Sequence, residues 1–243
     1  MKDLATYKHY IFDMDGTITR SRSPIDPDML ALLSSLSKDI VIMSGQLTDN
    51  ILKQVCGLVC VSMGQNGNHA VDRDKKELWN DRLNNKQTSE VLHHIAALMQ
   101  HVDLPVKDPN DLIEHRGAQL CYSLIGHHED VAKKEACDPD KSLRKSLLEK
   151  EPFNSDIIDV KIGGTTTFDY FPKGKDKGYN LKRLAAYKGW ELQDCVYFGD
   201  GLFSGGNDEA VIGIVDTVSV RDHRHLYEIL SQLKEGSETK STA

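Results

Sequence analysis

The chain has 243 residues, enough for one large domain or two modest ones. Its 39% hydrophobic and 28% charged residues are ordinary for a globular protein, and its longest apolar runs are far too short to cross a bilayer. The net charge of −7 gives no electrostatic footprint for nucleic acid or an anionic membrane, so we expect neither as a partner. An acidic protein that handles anions must concentrate positive charge locally or bind a metal ion.

The beginning of the chain and its cysteines favour an internal, reducing compartment. The segment MKDLATYKHY lacks the basic start and apolar centre of a secretory signal, which predicts a cytoplasmic location. The five cysteines are odd in number and form no CxxC pair, so we interpret them as reduced structural thiols.

The first part of the chain has the rhythm of a parallel α/β sheet. Residues 10–12 form a short apolar strand, and a helix begins at Pro27 behind a capping aspartate. A buried strand covers 39–43, a second helix is closed by Gly57, and a third strand covers 58–63. This β-α-β-α-β order with short connections predicts a doubly wound parallel sheet, which then gives way to a hairpin.

Residues 82–172 have a different pattern, which predicts a separate inserted domain. A helix over 88–101 has one apolar face, and LIEHRGAQLCYSLIG alternates like an antiparallel pair broken near Gly117. A helical stretch over 128–150 breaks near Pro139, and DIIDVKIGGTTTFDYF predicts two more strands. Strands and helices without the βαβ rhythm indicate an α+β domain.

The first rhythm returns with a helix that stops at Gly189, the strand CVYFGD and a closing helix, RDHRHLYEILSQL. We therefore predict a discontinuous α/β core domain over 1–81 and 173–234, with an inserted α+β cap domain over 82–172. The remaining residues, 235–243, have the composition of a disordered tail.

Carboxylates gather at the ends of two predicted strands. Asp13 and Asp15 follow the first strand in FDMDGTIT, and Asp200 ends CVYFGD, with Asn207 and Asp208 just beyond it. Ligands of open α/β sheets bind at the carboxyl ends of the strands. A bare DxD is more often a turn, but several strand-end carboxylates offer the hard oxygen ligands of a magnesium site.

Two further residues supply what a phosphate group needs. Ser44, at the end of the second strand, offers a hydroxyl beside backbone N–H donors. Lys177 offers a positive charge at the start of a helix, where anions are already favoured. With the carboxylates, these residues predict a site for phosphoryl transfer.

The motifs DMDGT, Ser44, Lys177 and GD…GGND, in that order, resemble the four motifs of the haloacid dehalogenase (HAD) phosphotransferase superfamily. The stretches GQNG, EHRGAQLCYSLIG and GGTTTFDYFPKGKDKGYNL extend the resemblance to eukaryotic-type phosphomannomutases and related sugar phosphatases, over about residues 10–215. The resemblance implies a Rossmann-like HAD core with an inserted cap, a Mg²⁺ cofactor and a sugar phosphate substrate, and it leaves a homodimer open.

The resemblance also implies a role for each motif residue of the core. Asp13 would be the nucleophile that forms an aspartyl-phosphate, and Asp15 the general acid and base. Ser44 and Lys177 would hold the phosphoryl oxygens, with Gly45 also at the substrate. The expected magnesium ligands are Asp13, the backbone carbonyl of Asp15, Asp200, Asn207 and Asp208.

In the cap, the resemblance places Arg116, Thr167 and Asp169 at sugar-contacting positions, and it places Arg22 at the mouth of the core. Each of these residues has a simpler interpretation. Arg22 could be a solvated surface charge and Arg116 could stabilise a hairpin. Thr167 and Asp169 could face solvent at alternating positions of a strand.

The sequence departs from the mutase pattern at two cap positions. Mutases have arginines after the IG dipeptide and a few residues later, whereas this chain has His127 and Lys134 there. Histidine is mostly neutral at pH 7, and lysine lacks the fork with which arginine binds phosphate. A mutase must hold the second phosphate of a bisphosphate, so we predict a sugar-phosphate phosphatase. The alternatives are a phosphohexomutase and a non-catalytic sugar-phosphate-binding protein.

Overall fold

The computed structural model describes residues 2–20 and 22–241, and the chain forms two compact units. One unit comprises Met1–Trp79 and Asp176–Ala243, and the other comprises Asn80–Lys175. The predicted boundaries of the inserted domain, 82 and 172, differ from these by a few residues.

The strands, in chain order, are β1 (His9–Phe12), β2 (Asp39–Met43), β3 (Val61–Gly64), β4 (His69–Val71), β5 (Glu77–Asn80), β6 (Ile113–His115), β7 (Leu120–Ser123), β8 (Ile158–Gly163), β9 (Thr167–Pro172), β10 (Cys195–Gly199) and β11 (Asp216–Ser219). The α-helices are α1 (Pro27–Ser35), α2 (Thr48–Gln54), α3 (Asn85–Met99), α4 (Val131–Cys137), α5 (Ser142–Lys150), α6 (Lys177–Lys188) and α7 (His223–Ser241).

A sheet of seven strands forms the core unit within the described part of the chain, in the order β11-β10-β1-β2-β3-β4-β5. The strands from β11 to β3 pair in parallel, and β4 pairs antiparallel with β3. All of β1 is buried, with Tyr10 and Phe12 in one apolar cluster and Ile11 in another. Helices α1, α2 and α7 pack on the first face and α6 on the second. A parallel sheet covered on both faces confirms the predicted doubly wound α/β core.

The second unit contains a four-stranded antiparallel sheet in the order β6-β7-β9-β8. One face is apolar: Leu120, Tyr122, Phe168 and Tyr170 share a buried cluster with residues of α3. Thr167 and Asp169 alternate with Phe168 and Tyr170 along β9, so their polar side chains lie on the other face of this sheet. This sheet with its helices confirms the predicted α+β character of the insertion.

Several elements differ from the sequence predictions. Strand β3 covers Val61–Gly64 rather than 58–63. Helix α3 begins at Asn85 rather than 88, because the Asn84 side chain accepts the Gln87 N–H and the Gln87 side chain accepts the Asn84 N–H. Strand β11 was not predicted. Helix α7 continues to Ser241 through most of the stretch predicted to be a tail; the last two residues of that stretch lie outside the described residues.

Two observations bear on the predicted setting of the protein. None of the described helices is both long enough and apolar enough to span a membrane. The five cysteines are free thiols in the structure, and three of them, Cys60, Cys121 and Cys195, are buried.

Candidate active site

The predicted site residues of the core follow strands that lie side by side. Strand β1 lies between β10 and β2, and Phe12 is in register with Phe198 on one side and Ile42 on the other. Asp13 follows Phe12 directly, so the fold brings it to the same sheet edge as Asp200 and Ser44, which follow β10 and β2. This edge is the carboxyl end of the parallel strands.

Lys177 lies between two buried carboxylates. Its Nζ donates to Asp13 Oδ1 at 2.5 Å and to Asp208 Oδ1 at 2.6 Å. Lys177 is the first residue of α6, whose N-cap Asp176 accepts the Tyr179 N–H at 2.9 Å. The hydroxyl of Tyr197, on β10, donates to Asp208 Oδ1 at 2.7 Å. Three parts of the chain therefore fix the position of the ammonium group: the start of α6, which carries it, and the segments after β1 and β10, which carry its carboxylate partners.

The charges of this cluster are out of balance. Burial raises the pKa of Asp13 well above its usual range, and the neighbouring Asp208 and Asp200 add to the rise, while Lys177 opposes it. Burial and Asp208 likewise raise the pKa of Asp200. Burial acts to lower the pKa of Lys177, but the carboxylates of Asp13 and Asp208 outweigh burial and raise it. One ammonium group thus faces three carboxyl groups, and a further cation would relieve their repulsion.

The donor set fits Mg²⁺. One oxygen each from Asp13, Asp200 and Asp208 lie within 4.8 Å of one another, and carboxylate oxygens are the ligands that Mg²⁺ prefers. The structure brings together these three of the predicted ligands. The Asn207 side chain lies against Gly201, the residue after Asp200, where a Cβ atom would be 1.9 Å from Asn207 Oδ1.

Gly16 and Thr17 hold Asp200 against the loop after β1. The φ of Gly16 is +84°, and a Cβ there would lie 2.6 Å from Asp200 Oδ2, so both conformation and space favour glycine. The backbone N–H of Asp200 donates to Thr17 Oγ1 at 3.1 Å. Gly16 and Thr17 of the DMDGT motif therefore determine how closely the Asp200 carboxylate approaches the loop after β1.

Asp15 has partners of its own outside the lysine cluster. Its Oδ1 accepts the backbone N–H of Arg22 at 2.7 Å, and its Oδ2 accepts the side-chain amide of Gln46 at 2.5 Å. The contact from Arg22 comes from its backbone, and its side chain is exposed. Gln46 was missed by the sequence analysis, although its place just after Ser44-Gly45 was a usable signal.

The loop after β2 positions Ser44 and Gly45. Ser44 N–H donates to Met63 O, and Ser44 O accepts Asn66 N–H, both at 2.9 Å. The Ser44 hydroxyl accepts the Gln46 N–H at 3.2 Å. Since Ser44 is buried and anchored on both sides, its hydroxyl has a fixed direction at the strand end.

The cap unit has a polar cluster around Arg116. Its Nε and Nη2 donate to Glu114 Oε2 at 2.9 and 2.6 Å, and its side chain is only 9% exposed. Burial acts to lower the pKa of Arg116, but Cys121, Asp169 and Glu114 outweigh burial and raise it. Arg116 N–H also donates to Gln119 O at 2.8 Å, which closes the β6–β7 turn. The guanidinium group is charged and already bound by a carboxylate.

The two departures from the mutase pattern adjoin this cluster. His127 is buried, with Nδ1 3.5 Å from Glu114 Oε2 and Nε2 3.3 Å from Cys121 O. Burial lowers its pKa, and Arg116 lowers it further. Lys134 donates from Nζ to His127 O at 2.8 Å. At neutral pH the imidazole therefore adds no charge to the cap.

Asp169 and Thr167 lie on β9, on the polar face of the cap sheet. Asp169 is in register with Cys121 on one side and with Lys161 on the other. Thr167 is buried, and its carbonyl accepts Arg144 Nη1 at 3.1 Å. Asp169 is close enough to Arg116 to raise its pKa, so the structure groups these two predicted residues.

Comparison with known proteins finds phosphomannomutases among the sequence relatives of this chain. A family model described as eukaryotic phosphomannomutase matches residues 35–225. Phosphomannomutase 1 of Dictyostelium discoideum is 30% identical over 82% of this chain and 84% of its own length. Phosphomannomutase of Oryza sativa subsp. japonica is 31% identical over 82% of this chain and 83% of its own length.

Solved structures give the same fold. A haloacid dehalogenase-like hydrolase from Bacteroides thetaiotaomicron has a TM-score of 0.60 at 16% identity, covering 93% of this chain and 99% of its own. A second protein of that organism, studied among the phosphatases of the HAD superfamily, has a TM-score of 0.62 at 15% identity and covers 96% and 97%. The likeness confirms the Rossmann-like HAD fold with an inserted cap.

Proposed function

This chain belongs to the eukaryotic phosphomannomutase family, and we propose that it interconverts hexose 1- and 6-phosphates by phosphoryl transfer through Asp13. It is an enzyme of the HAD type. The names of its relatives support the mutase, which was the alternative, better than the phosphatase predicted first. The observation that carries phosphoryl transfer is the Lys177 ammonium group held between the buried carboxylates of Asp13 and Asp208.

The proposed reaction has two steps. A carboxylate oxygen of Asp13 attacks phosphorus, and the bond from phosphorus to the sugar oxygen breaks as Asp15 gives that oxygen a proton. The free hydroxyl of a hexose monophosphate then attacks the phosphorus of phospho-Asp13, the bond from phosphorus to Asp13 breaks, and Asp15 takes the proton of that hydroxyl. The product is a hexose 1,6-bisphosphate, which turns in the site and gives its other phosphoryl group to Asp13 by the first step. Lys177 and Ser44 would donate to the phosphoryl oxygens, which carry the developing charge.

Asp13, Asp200 and Asp208 would hold Mg²⁺, with Asn207 and the backbone carbonyl of Asp15 in support, and the ion would supply charge neutralisation for the phosphoryl group. In the cap, Arg116, Thr167 and Asp169 would contact the sugar. Arg22 and Gly45 remain further candidates for substrate contact. Two predictions from the sequence remain: the protein is cytoplasmic, and its partner molecule is a sugar phosphate. The sequence leaves open whether the chain forms a homodimer.

Hydrolysis of a sugar phosphate is the second candidate, and the charges of the cap favour it. Arg116 is already paired with Glu114, and burial lowers the pKa of His127. A cap with this charge pattern would hold the second phosphate of a bisphosphate weakly. If the hexose monophosphate leaves while Asp13 is still phosphorylated, water becomes the acceptor for phospho-Asp13.

One assay separates the candidates. Mannose 1-phosphate is supplied with Mg²⁺, with and without a hexose 1,6-bisphosphate, and the 6-phosphate and inorganic phosphate are measured together. Isomerisation that outpaces phosphate release supports the mutase. Phosphate release that dominates and does not respond to bisphosphate supports the phosphatase. If neither product forms, and p-nitrophenyl phosphate is not cleaved either, the non-catalytic alternative replaces both proposals.

A further inference from the structure

We propose that Gln46 is a positioning residue that fixes the carboxylate of Asp15 for proton transfer to the leaving sugar oxygen. The inference rests on the proposed function, in which Asp15 is the general acid and base. The observation behind it is the hydrogen bond from Gln46 Nε2 to Asp15 Oδ2, at 2.5 Å. Both residues belong to the core unit.

The backbone of Gln46 is held at both polar groups. Its N–H donates to Ser44 Oγ at 3.2 Å, and its carbonyl accepts Gln65 N–H at 2.8 Å. Gly64 lies so close that a Cβ there would be 2.7 Å from Gln46 O. The side chain of Gln46 therefore starts from a fixed point at the end of β2.

Asp15 is anchored by one donor on each oxygen. The Arg22 N–H binds Oδ1 at 2.7 Å, and the Gln46 amide binds Oδ2. The two donors come from different segments, the loop after β1 and the loop after β2. Two anchors define the plane of a carboxylate, whereas a single anchor leaves it free to rotate about its terminal bond.

Orientation of Asp15 matters only where a proton has to be transferred. A general acid must lie within hydrogen-bond reach of the oxygen that it protonates. The alkoxide of a hexose is a poor leaving group and needs that proton, whereas nitrophenolate leaves as a stable anion. Loss of Gln46 should therefore slow the cleavage of a hexose phosphate much more than the cleavage of p-nitrophenyl phosphate.

The test compares Gln46→Met with wild type on mannose 6-phosphate and on p-nitrophenyl phosphate. Single-turnover ester cleavage, with enzyme in excess and Mg²⁺ present, reports the phosphorylation of Asp13 alone. We expect Gln46→Met to slow cleavage of the hexose phosphate by about tenfold or more, and that of the nitrophenyl ester by less than about threefold. Gln46→Leu removes the donor without adding a charge, so it should give the same split and serves if the Met variant does not fold.

The matched control is Gln100→Met, at the C-cap of α3, where the amide donates to Ala96 O at 3.5 Å. It should change both rates equally and little. Equal slowing of both substrates by Gln46→Met, or no slowing, would overturn the inference while leaving the proposed function in place. If wild type cleaves neither ester, the proposed function fails and the inference falls with it.

Discussion

Each unit of the molecule buries a cation beside a carboxylate, and the surroundings of the two pairs differ. In the cap, Arg144 Nε donates to Asp138 Oδ2 at 2.6 Å, and each side chain is only 1% exposed. Arg144 Nη1 also donates to the carbonyls of Gly163 and Thr167, at 2.5 and 3.1 Å. The charges balance, and the remaining contacts are to the backbone of the β8–β9 turn. This pair is structural.

In the core, Lys177 has two carboxylates as partners, and Asp200 adds a third acidic group nearby. The excess negative charge destabilises the folded state unless a cation is present, as the raised pKa values of Asp13 and Asp200 indicate. The comparison teaches that burial of a charge alone does not mark a functional site. An excess of buried carboxylates over cations marks the functional site, because a bound metal ion would supply the missing positive charge.

The first and largest expected effect is that of Asp13→Asn. The amide cannot act as the nucleophile, so turnover of any phosphate ester should fall by about a thousandfold or more. Asp194→Asn, which alters an exposed carboxylate paired with Lys8, is the control and should keep full activity. Turnover of Asp13→Asn within about tenfold of wild type, about 1.4 kcal/mol of barrier, would contradict the role of Asp13.

Removal of metal is the second test of whether the excess of carboxylates in the core serves to bind a cation. Activity should vanish in EDTA and return with Mg²⁺, whereas Ca²⁺ should restore it poorly, because calcium takes more ligands at longer distances. Mg²⁺ should also raise the unfolding temperature of the intact chain, since an ion that binds the folded state stabilises it. Full activity in EDTA would show that the three carboxylates serve another purpose.

Paired variants of the two buried cations form the third test. Arg144→Met leaves Asp138 uncompensated, so the free energy of unfolding should fall by about 3–5 kcal/mol, with or without Mg²⁺. Lys177→Met should abolish activity, and Mg²⁺ should offset much of its loss of stability because the ion compensates the same carboxylates. Urea denaturation in EDTA and in Mg²⁺ measures both. An equal response of the two variants to Mg²⁺ would remove the distinction between the pairs.

The sequence predicted elements of the fold correctly where the apolar pattern was strong. It did not predict elements that form because of strand pairing or capping. Strand β1 is apolar and fully buried, so its pattern is clear. Strand β11 has the sequence DTVS, of which only Val218 is buried, and it is a strand because it pairs with β10 at the sheet edge. Helix α3 starts early because of a reciprocal cap that lies in polar sequence, where an apolar pattern gives no signal.

The candidate site divides in the same way. Asp13, Asp200 and Lys177 could be predicted because each stands at the end of an element with a clear pattern. Gln46 offered only its place just after Ser44-Gly45 as a signal, and Tyr197 offered none, because the relevance of both depends on where their side chains point after the strands are assembled. Tyr197 reads as one more apolar residue of β10, yet its hydroxyl binds the Asp208 carboxylate.

The smallest expected effect concerns the cap, and it tests whether two cap positions set the balance between isomerisation and hydrolysis. His127→Arg with Lys134→Arg supplies two permanent charges with the planar fork that binds phosphate. If the cap of the wild-type chain holds the second phosphate weakly, the double variant should raise the ratio of isomerisation to phosphate release by several-fold. A charge-assisted phosphate contact contributes about 1.5–3 kcal/mol, which leaves room for such a shift even if burial offsets much of it. The coupled assay with and without a hexose bisphosphate measures the ratio, and Lys133→Arg, at an exposed position of the same helix, is the control. An unchanged ratio in a folded, active double variant would mean that these two positions do not set the fate of phospho-Asp13.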